Sequence, residues 1–354
     1  MTDQSVAPEL VAHEPLSAEY LRALPKAEVH CHLEGSVPPE VAGRLATKHG
    51  MPEADGLAGP YDFEDLESFL KYYVAISRSM RTSDDFEEVT YSSLMAAADG
   101  GLRYREIAFN PQNHPDLSYP SMVQGILRGA RAAQEEAGIV SRVLVAINRE
   151  YGGAAALDLI REVVDHRHDE VVGIGLDHNE LVARPVEFVE AYDLARRNGL
   201  KLAAHTGERG DATEIAECLD LLKLDRIDHG YAVLLDADLL ARTVASQIPF
   251  GSCWFVDYPP GLVEQRVIDV RAMTAAGLNL SLSSDDPGLF GSQLGDDFAD
   301  AALRLGWTVT DAERFSLAGL DACFADAATL ERLRAEFAAE LERLRVLAHP
   351  RTAS

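Results

Sequence analysis

The sequence predicts an α/β fold, a (β/α)8 barrel of the TIM type with extra helices inserted after strand 1 and at the C-terminus. Eight short apolar runs alternate with longer stretches whose apolar residues recur every three or four positions. Parallel strands need crossover helices, and eight strand-then-helix units close into a barrel. A chain of 354 residues with 47% hydrophobic content can bury the core that this fold requires. We therefore expect residues 1–354 to form a single domain, with residues 1–20 as a peripheral N-terminal segment.

The individual elements follow from these two patterns. The short apolar runs predict strands at residues 27–32, 104–110, 142–148, 171–177, 201–205, 226–229, 248–253 and 278–283. Helical patterns between them include residues 121–137, 154–164, 185–198 and 263–276. Two amphipathic helices are expected after the last strand, at residues 311–324 and 327–347, each with a solvated charged face.

The interval at residues 39–100 is longer than one crossover needs. After a breaker at residues 56–60, apolar side chains recur at helical spacing at Leu66, Phe69, Leu70, Tyr73 and Ile76. This spacing predicts inserted helices over the barrel mouth, where they would act as a lid. Ordinary helical packing explains the same spacing equally well, and the sequence leaves both readings open.

Charge and composition restrict the possible partners. The formal net charge is -26 and the isoelectric point is about 4.7, so the surface repels nucleic acids and anionic membranes. A small neutral or cationic ligand fits better. The four cysteines form no C-x-x-C pair, which suits a reducing compartment. With neither a signal-peptide pattern nor an apolar run of about 20 residues, a cytoplasmic protein is expected.

A first candidate metal site lies at the end of strand 1. His30 and His32 are two residues apart on an extended strand, so their side chains project from the same face and can bind one ion together. The spacing alone is weak, because His166 and His168 share it within a charged stretch at the end of a helical pattern. We expect His166 and His168 to be ordinary surface residues.

Two further candidate ligands follow other strands. His205 ends the fifth strand and Asp285 follows the eighth, and the C-terminal ends of barrel strands meet at one rim. Three histidines and one aspartate suit a divalent cation, with zinc as the natural choice, and zinc activates water for hydrolysis. Taken singly, His205 is equally compatible with a core histidine, and Asp285 with the N-cap of a helix.

Three more polar residues stand beside these candidate ligands. Glu208, three residues after His205, is placed to act as a general acid toward a ring nitrogen, and His229 to hold the attacking water and receive its proton. Asp286 is placed to hydrogen-bond a substrate. A surface carboxylate beside Arg209 is the alternative for Glu208, and a packing residue is the alternative for His229.

With these residues assembled, the chain resembles the adenosine/adenine deaminase family, zinc-dependent metallo-hydrolases of the adenosine and AMP deaminase group. The resemblance spans about residues 24–337. It rests on the motifs KAEVHCHLEG at 26–35, HTGE at 205–208, RIDHG at 226–230 and SDDP at 284–287.

The resemblance implies a role for each motif residue. The implied ligands of one Zn2+ per chain are His30, His32, His205 and Asp285. Glu208 would protonate the purine ring nitrogen beside the amino-bearing carbon, His229 would position the attacking hydroxide, and Asp286 would bond an imidazole-ring nitrogen. The implied reaction converts a 6-aminopurine, adenine or adenosine, to the 6-oxopurine and ammonia.

Departures from the family pattern concern the substrate. Glu34 stands where adenosine deaminases carry an aspartate that meets the ribose, and its longer side chain leaves less room for a sugar. His178 replaces a small residue and either enters the pocket or faces solvent. An aromatic-rich segment at 254–258 replaces the usual C-P-x-S-N continuation and is expected to reshape the pocket.

Other functions stay open at this point. Aminodeoxyfutalosine or an N6-substituted adenine would be alternative substrates of the same chemistry. A different zinc barrel amidohydrolase is disfavoured because strand 4 ends in Asp177 where a carboxylated lysine would be needed. A catalytically inactive binding relative is disfavoured because every expected ligand is present. The expected partner is a small-molecule purine, and a homo-oligomer is compatible with the sequence.

Overall fold

Eight parallel strands form one sheet in sequential order in the computed structural model, which describes residues 15–52, 54–209, 211–255 and 261–348. The strands are β1 Lys26–His32, β2 Leu102–Phe109, β3 Val140–Asn148, β4 Val171–Asp177, β5 Lys201–Thr206, β6 Arg226–His229, β7 Phe250–Cys253 and β8 Leu280–Ser283. A parallel bridge between Cys31 and Asp285 joins β1 to the segment after β8. The sheet is therefore a nearly closed barrel, which confirms the predicted fold class.

Helices surround the barrel and cover its mouth. The described residues form α1 Ala18–Ala23, α2 Pro39–Lys48, α3 Ala54–Leu57, α4 Leu66–Ser79, α5 Ser83–Ala98, α6 Tyr119–Ala137, α7 Gly152–Asp165, α8 Val189–Arg197, α9 Ala212–Glu217, α10 Ala237–Ser246, α11 Leu262–Ala275, α12 Pro287–Phe290, α13 Leu294–Leu305, α14 Val309–Ala322 and α15 Ala327–Leu344. Side chains cap several N-termini, as Asp65 does by accepting from the N–H of Ser68 at 2.8 Å.

The predicted strand ends agree closely with the structure. Six of the eight C-terminal ends coincide, β2 ends one residue earlier and β5 one residue later. The starts differ more: β2 and β3 begin two residues before the predicted start, and β7 and β8 begin two residues after it. For β7 the reason is Pro249, which has no N–H to donate to a strand ladder, so regular pairing begins at Phe250.

The predicted inserted helices are present between β1 and β2. Helix α4 carries Leu66, Phe69, Leu70 and Tyr73 along the wall of a cavity at the barrel mouth, whereas Ile76 is buried in the core. Helix α4 therefore covers the cavity and packs as a structural helix at the same time.

The first and last described segments of the chain pack together. In the predicted peripheral segment, residues 1–14 lie outside the described residues. The Ser17 N–H and hydroxyl donate to the carbonyls of Ala348 and Leu347 at 2.8 and 2.6 Å, and Tyr20 is fully buried. Among the described residues, no helix combines the length and apolar composition that crossing a bilayer requires.

Buried ion pairs connect the strands of the barrel. The Nε of Arg105 on β2 donates to Glu28 on β1 at 2.5 Å, and both side chains are inaccessible to solvent. Arg226 on β6 donates to Glu106 at 2.5 Å and to Asp228 at 2.8 Å. Removing one partner of such a pair leaves the other charge unpaired in a low-dielectric interior.

We therefore expect Arg105→Met to lower the free energy of unfolding by about 3–5 kcal/mol, because the Glu28 carboxylate would stay buried without its cation. Urea denaturation followed by circular dichroism measures this loss. Arg44→Met is the matched control, since Arg44 is largely exposed and pairs with Glu88 at the surface, where a pair contributes about 0–1 kcal/mol. Equal losses in the two variants would contradict the expectation.

Candidate functional site

Four histidines converge at the C-terminal mouth of the barrel. His30 and His32 come from β1, His205 from β5 and His229 from the end of β6. The ring centroid of His30 lies 4.5 Å from that of His205 and 4.6 Å from that of His229. The centroids of His32 and His205 are 5.0 Å apart. The structure thus brings together imidazoles that are up to about 200 positions apart in the sequence.

Asp285 joins this cluster and closes the barrel. Its backbone N–H donates to the carbonyl of His30 at 3.2 Å, and its carbonyl accepts from the N–H of His32 at 2.9 Å. Its Oδ1 lies 3.2 and 3.4 Å from Nε2 of His30 and of His32. The backbone of Asp285 is left-handed (φ 62°), as are those of His178 and His229 (φ 67° each). Such strain at non-glycine residues concentrates at functional sites.

These side chains fit a divalent cation. Donor atoms of His30, His32 and His205 lie within 4.8 Å of one another. Nε2 of His30 and Nδ1 of His32 are buried without a hydrogen-bond partner among the described residues. Such nitrogens cost free energy that a bound cation would offset. The donor set of imidazole and carboxylate suits a divalent metal.

Protons compete with a cation for these nitrogens. Burial lowers the pKa of His205 well below its ordinary value, and the neighbouring His30 lowers it further, which leaves the His205 imidazole neutral. Burial opposes protonation of His30 and His32 as well, but nearby carboxylates together outweigh burial and raise the pKa of both: Asp285 and Asp228 act on His30, and Asp285 and Asp286 on His32. Metal binding at His30 and His32 would therefore release protons.

Contacts behind the cluster orient the donors. Nδ1 of His30 lies 3.1 Å from the carbonyl oxygen of Gly251, so this nitrogen carries the proton and Nε2 offers its lone pair toward the cluster. The Glu28 carboxylate accepts from the Ser284 N–H at 2.8 Å and from its hydroxyl at 2.5 Å. Because Ser284 precedes Asp285, this contact fixes the segment that carries the carboxylate ligand.

Arg149 connects the C-terminal ends of β4 and β5. These two strands form only two residue pairs along their length. The buried guanidinium of Arg149 donates to the carbonyls of Asp177 at 3.3 Å and His205 at 2.7 Å, and it pairs with Glu214 at 2.7 Å. Arg149 thereby supplies contacts that the sparse strand ladder lacks, and it fixes the backbone of His205.

Glu208 faces the cavity beside the histidines, and its side chain is 16% exposed. The Glu180 carboxylate accepts from the backbone N–H groups of Glu208 and Arg209 at 3.2 and 3.3 Å, which fixes this loop. Burial raises the pKa of Glu208, although the nearby Arg266 opposes this shift. The carboxyl of Glu208 therefore holds a proton more readily than a solvated glutamate does.

His229 and Asp286 line the same cavity. Burial lowers the pKa of His229 well below its ordinary value, and the charge of His30 adds to the effect. Burial raises the pKa of Asp286, and Asp285 raises it further. Oδ1 of Asp286 has no partner among the described residues. Gly35 makes room for this side chain, since a Cβ there would lie 1.6 Å from that oxygen.

Glu34 lies in the wall behind the cavity. Its carboxylate accepts from the Asn110 N–H at 3.0 Å and from the Tyr73 hydroxyl at 3.3 Å, and it lies 3.0 Å from Nε2 of His114. The side chain is inaccessible to solvent. Its predicted contact with a substrate stays a prediction, whereas its contacts to Tyr73 and Asn110 hold the wall in place.

His178 lines the cavity and does not face solvent. Its side chain is 8% exposed, and Nδ1 lies 2.9 Å from an oxygen of Asp177. Asp177 in turn accepts both bonds from the Asn110 amide at 2.8 and 2.9 Å. The sequence left open whether His178 enters the pocket or faces solvent, and in the structure it lies in the pocket.

The cavity offers about 60 Å3 to the centres of water molecules. Its wall combines polar groups from the strand ends with an apolar cover from α4. The residues around it are His32, Leu66, Phe69, Leu70, Tyr73, Asp177, His178, Asn179, Glu180, His205, Glu208, Arg209, His229, Asp285 and Asp286. Predicted ligands and predicted acid/base groups therefore meet in one cavity.

Several site residues escaped the sequence prediction. Arg149 and Arg266 act through contacts with other elements, so no local motif marks them. Asp177 was singled out as a strand end without lysine, and its position at a barrel mouth was a further usable signal. The closeness of Cys253 to His30, His229 and Asp285, with donor atoms within 4.8 Å of one another, appears only in the structure.

The aromatic-rich segment at 254–258 is described in part. Trp254 is buried, and its indole N–H donates to Asp300 on α13 at 2.8 Å, so this ring packs between elements and is absent from the cavity lining. Phe255 is half-buried. The remainder of the predicted pocket-reshaping segment, residues 256–258, lies outside the described residues.

Comparisons with known proteins agree in both sequence and structure. A model of the adenosine deaminase family matches residues 25–340. An adenine deaminase from Streptomyces coelicolor is 34% identical over 92% of this chain and 97% of its own length. An adenine deaminase structure from Arthrobacter aurescens superimposes with a TM-score of 0.83 at 32% identity, covering 91% of this chain and 99% of that one. An amidohydrolase from Burkholderia ambifaria with bound zinc gives a TM-score of 0.85 at 29% identity, with 97% of both chains covered.

We expect His30→Ala to lose bound metal, because removing one of the few donors in the cluster weakens the site strongly. Metal content after gel filtration, measured by mass spectrometry, reports the loss. His166→Ala is the matched control: His166 belongs to the other H-x-H pair, is exposed and caps the end of α7. Stoichiometric metal in His30→Ala would contradict the assignment, as would loss of metal in the control.

Proposed function

The chain belongs to the adenosine deaminase family, and from this premise we propose that it is a zinc-dependent hydrolase that converts free adenine to its 6-oxopurine and ammonia. The observation that carries the proposal is the meeting of Glu208 with the donor cluster in one cavity. Hydrolytic deamination needs an activated water, a proton donor for the ring and a base, and these groups supply all three.

One Zn2+ per chain would be held by His30, His32, His205 and Asp285, which are the donors around the unpartnered buried nitrogens. When bound, zinc lowers the pKa of water toward about 7, so that a nucleophile exists at neutral pH. The orientation of His30 by the Gly251 carbonyl and of Asp285 by its own backbone bonds would hold the donors ready for the ion.

Glu208 is the proposed proton donor. Its carboxyl gives its proton to the purine ring nitrogen beside the amino-bearing carbon, so that the ring can accept electrons as water adds at that carbon. Glu180 holds the backbone of Glu208 and leaves its carboxyl free to face the cavity. His229, across the donor cluster, takes the proton that the attacking water loses.

Asp286 orients the base. Its carboxyl group lines the cavity, with Oδ1 unpartnered among the described residues, and would hydrogen-bond an imidazole-ring nitrogen of the purine. Free adenine has such a nitrogen unsubstituted at either position of its imidazole ring. Since Gly35 fixes the room around this carboxyl, the base is held with its amino-bearing edge toward Glu208.

The wall of the cavity favours a free base over a nucleoside. The Glu34 contacts to Tyr73 and Asn110 brace the wall where a sugar would need space. Relatives named adenine deaminase at 31–34% identity support the same substrate.

Glu208→Gln should keep its metal and lose most deamination, by about 10²- to 10⁴-fold in kcat, because the neutral amide has no acidic proton to give. Ammonia release with parallel metal analysis measures both properties. Glu217→Gln is the control, since Glu217 lies on α9 and pairs with Arg184 away from the cavity. Unchanged turnover in Glu208→Gln would remove its assigned role.

A substrate panel tests the choice of adenine. With the metal-loaded wild type we expect kcat/KM for adenine to exceed that for adenosine by at least about 100-fold, because burying ribose would clash with the braced wall. N6-substituted adenines and aminodeoxyfutalosine complete the panel. A preference for any nucleoside would overturn the argument from the braced wall, and no ammonia from any purine would overturn the function.

A further inference from the structure

We propose that Arg266 is a positioning residue for the general acid, and that it stabilises the carboxylate which Glu208 becomes once its proton has passed to the purine ring. The inference rests on the proposed function. Arg266 lies on α11, outside every sequence motif of the site.

The guanidinium of Arg266 is held rigidly beside Glu208. Its central carbon lies 3.6 Å from the centre of the Tyr231 ring, and the side chain is only 3% exposed. Nη2 lies 3.7 Å from Oε1 of Glu208, and Nη1 lies 3.4 Å from Asp269. A guanidinium over an aromatic face is attracted to the ring and loses little freedom when it forms further contacts.

The ring beneath Arg266 is fixed as well. The Tyr231 hydroxyl donates to the Cys253 carbonyl at 2.8 Å and accepts from the Cys253 N–H at 3.0 Å and the Ser252 hydroxyl at 3.2 Å. Tyr231 is thereby attached to the end of β7. The barrel therefore positions Arg266 through Tyr231, in addition to α11, on which Arg266 lies.

The position of Arg266 matters because Glu208 changes charge during the reaction. In the transfer, the O–H bond of Glu208 breaks and an N–H bond forms on the ring, which leaves a carboxylate that regains its proton from water before the next turnover. A buried carboxylate is costly unless a cation is near. Arginine stays charged throughout, so its attraction is stronger after the transfer than before, and such an interaction lowers the barrier.

Arg266 is better suited to this role than the arginine next to Glu208 in the sequence. Arg209 is exposed, and its backbone N–H donates to Glu180. Nε of Arg266 has no hydrogen-bond partner among the described residues, which is unusual for a buried guanidinium kept only for stability. Its placement is better explained by the charge it presents to Glu208.

A double-mutant cycle tests the proposal. We expect Arg266→Met to lower kcat for adenine by about 10- to 100-fold with KM changed less than about threefold, and Arg266→Lys to restore at least part of the loss. In a Glu208→Gln background, Arg266→Met should cause no further loss, since no carboxylate forms there. Arg271→Met is the control, because Arg271 is an exposed residue of the same helix that donates to the Arg304 carbonyl.

The outcomes separate the two proposals. Metal content and thermal midpoints establish that every variant is folded and loaded before kinetics are compared. Losses that add fully in the double variant, or a lysine variant as slow as the methionine one, would overturn the role of Arg266 while the wild type still deaminates. A metal-loaded wild type without activity on any purine would overturn the proposed function and this inference with it.

Discussion

The meeting of β1 with the segment after β8 is the constraint on which the site depends. Asp285 makes both backbone hydrogen bonds that join these segments, and its carboxylate stands among the histidines. The same two hydrogen bonds therefore close the barrel and place the carboxylate beside the histidines. A shift of one residue in this register would turn the carboxylate away from His30 and leave its imidazole buried without a counter-charge. Because the left-handed backbone at Asp285 is strained, the surrounding contacts must hold it, and Glu28 does so through Ser284.

Buried ion pairs connect the donor cluster at the barrel mouth to residues nearer the opposite end of the barrel. Arg226 contacts Glu106 and Asp228, and Asp228 lies 3.9 Å from Nδ1 of His30, so charges of alternating sign run from β2 through β6 to the donor cluster. Buried pairs of this kind contribute little net stability compared with apolar packing, since desolvation offsets their attraction. They do penalise every strand register that separates the partners. In this barrel they fix where β1, β2 and β6 end, and hence where the imidazoles meet.

Periodicity and strand ends were sufficient to predict the barrel, because parallel strands with crossover helices leave few alternatives. The predicted C-terminal ends of the strands were accurate because polar residues that are costly to bury, such as His32 and Asp177, mark the points where apolar runs stop. Contacts between distant elements could not be predicted in this way. Arg149 and Arg266 have no local pattern, since their roles depend on which carbonyl or carboxylate the fold places within a few ångströms. The single left-handed residues at His178 and His229 were invisible for the same reason: tertiary contacts impose them against local preference.

Chemistry and substrate choice come from different parts of the chain. The donors, Glu208 and His229 stand on strands or on the loops that follow them, so the strand ends and these loops set their geometry. The apolar cover of the cavity comes from α4, in the insertion between β1 and β2. Tyr73 and Phe69 connect the two parts: Tyr73 donates to Glu34 behind the rim, and Phe69 stacks on Phe290 of α12. A change at another position of α4 therefore alters the space for the ligand while leaving the donor cluster intact. Within this architecture, substrate range can change through one helix without rebuilding the catalytic groups, because the interactions that fix each part are largely separate.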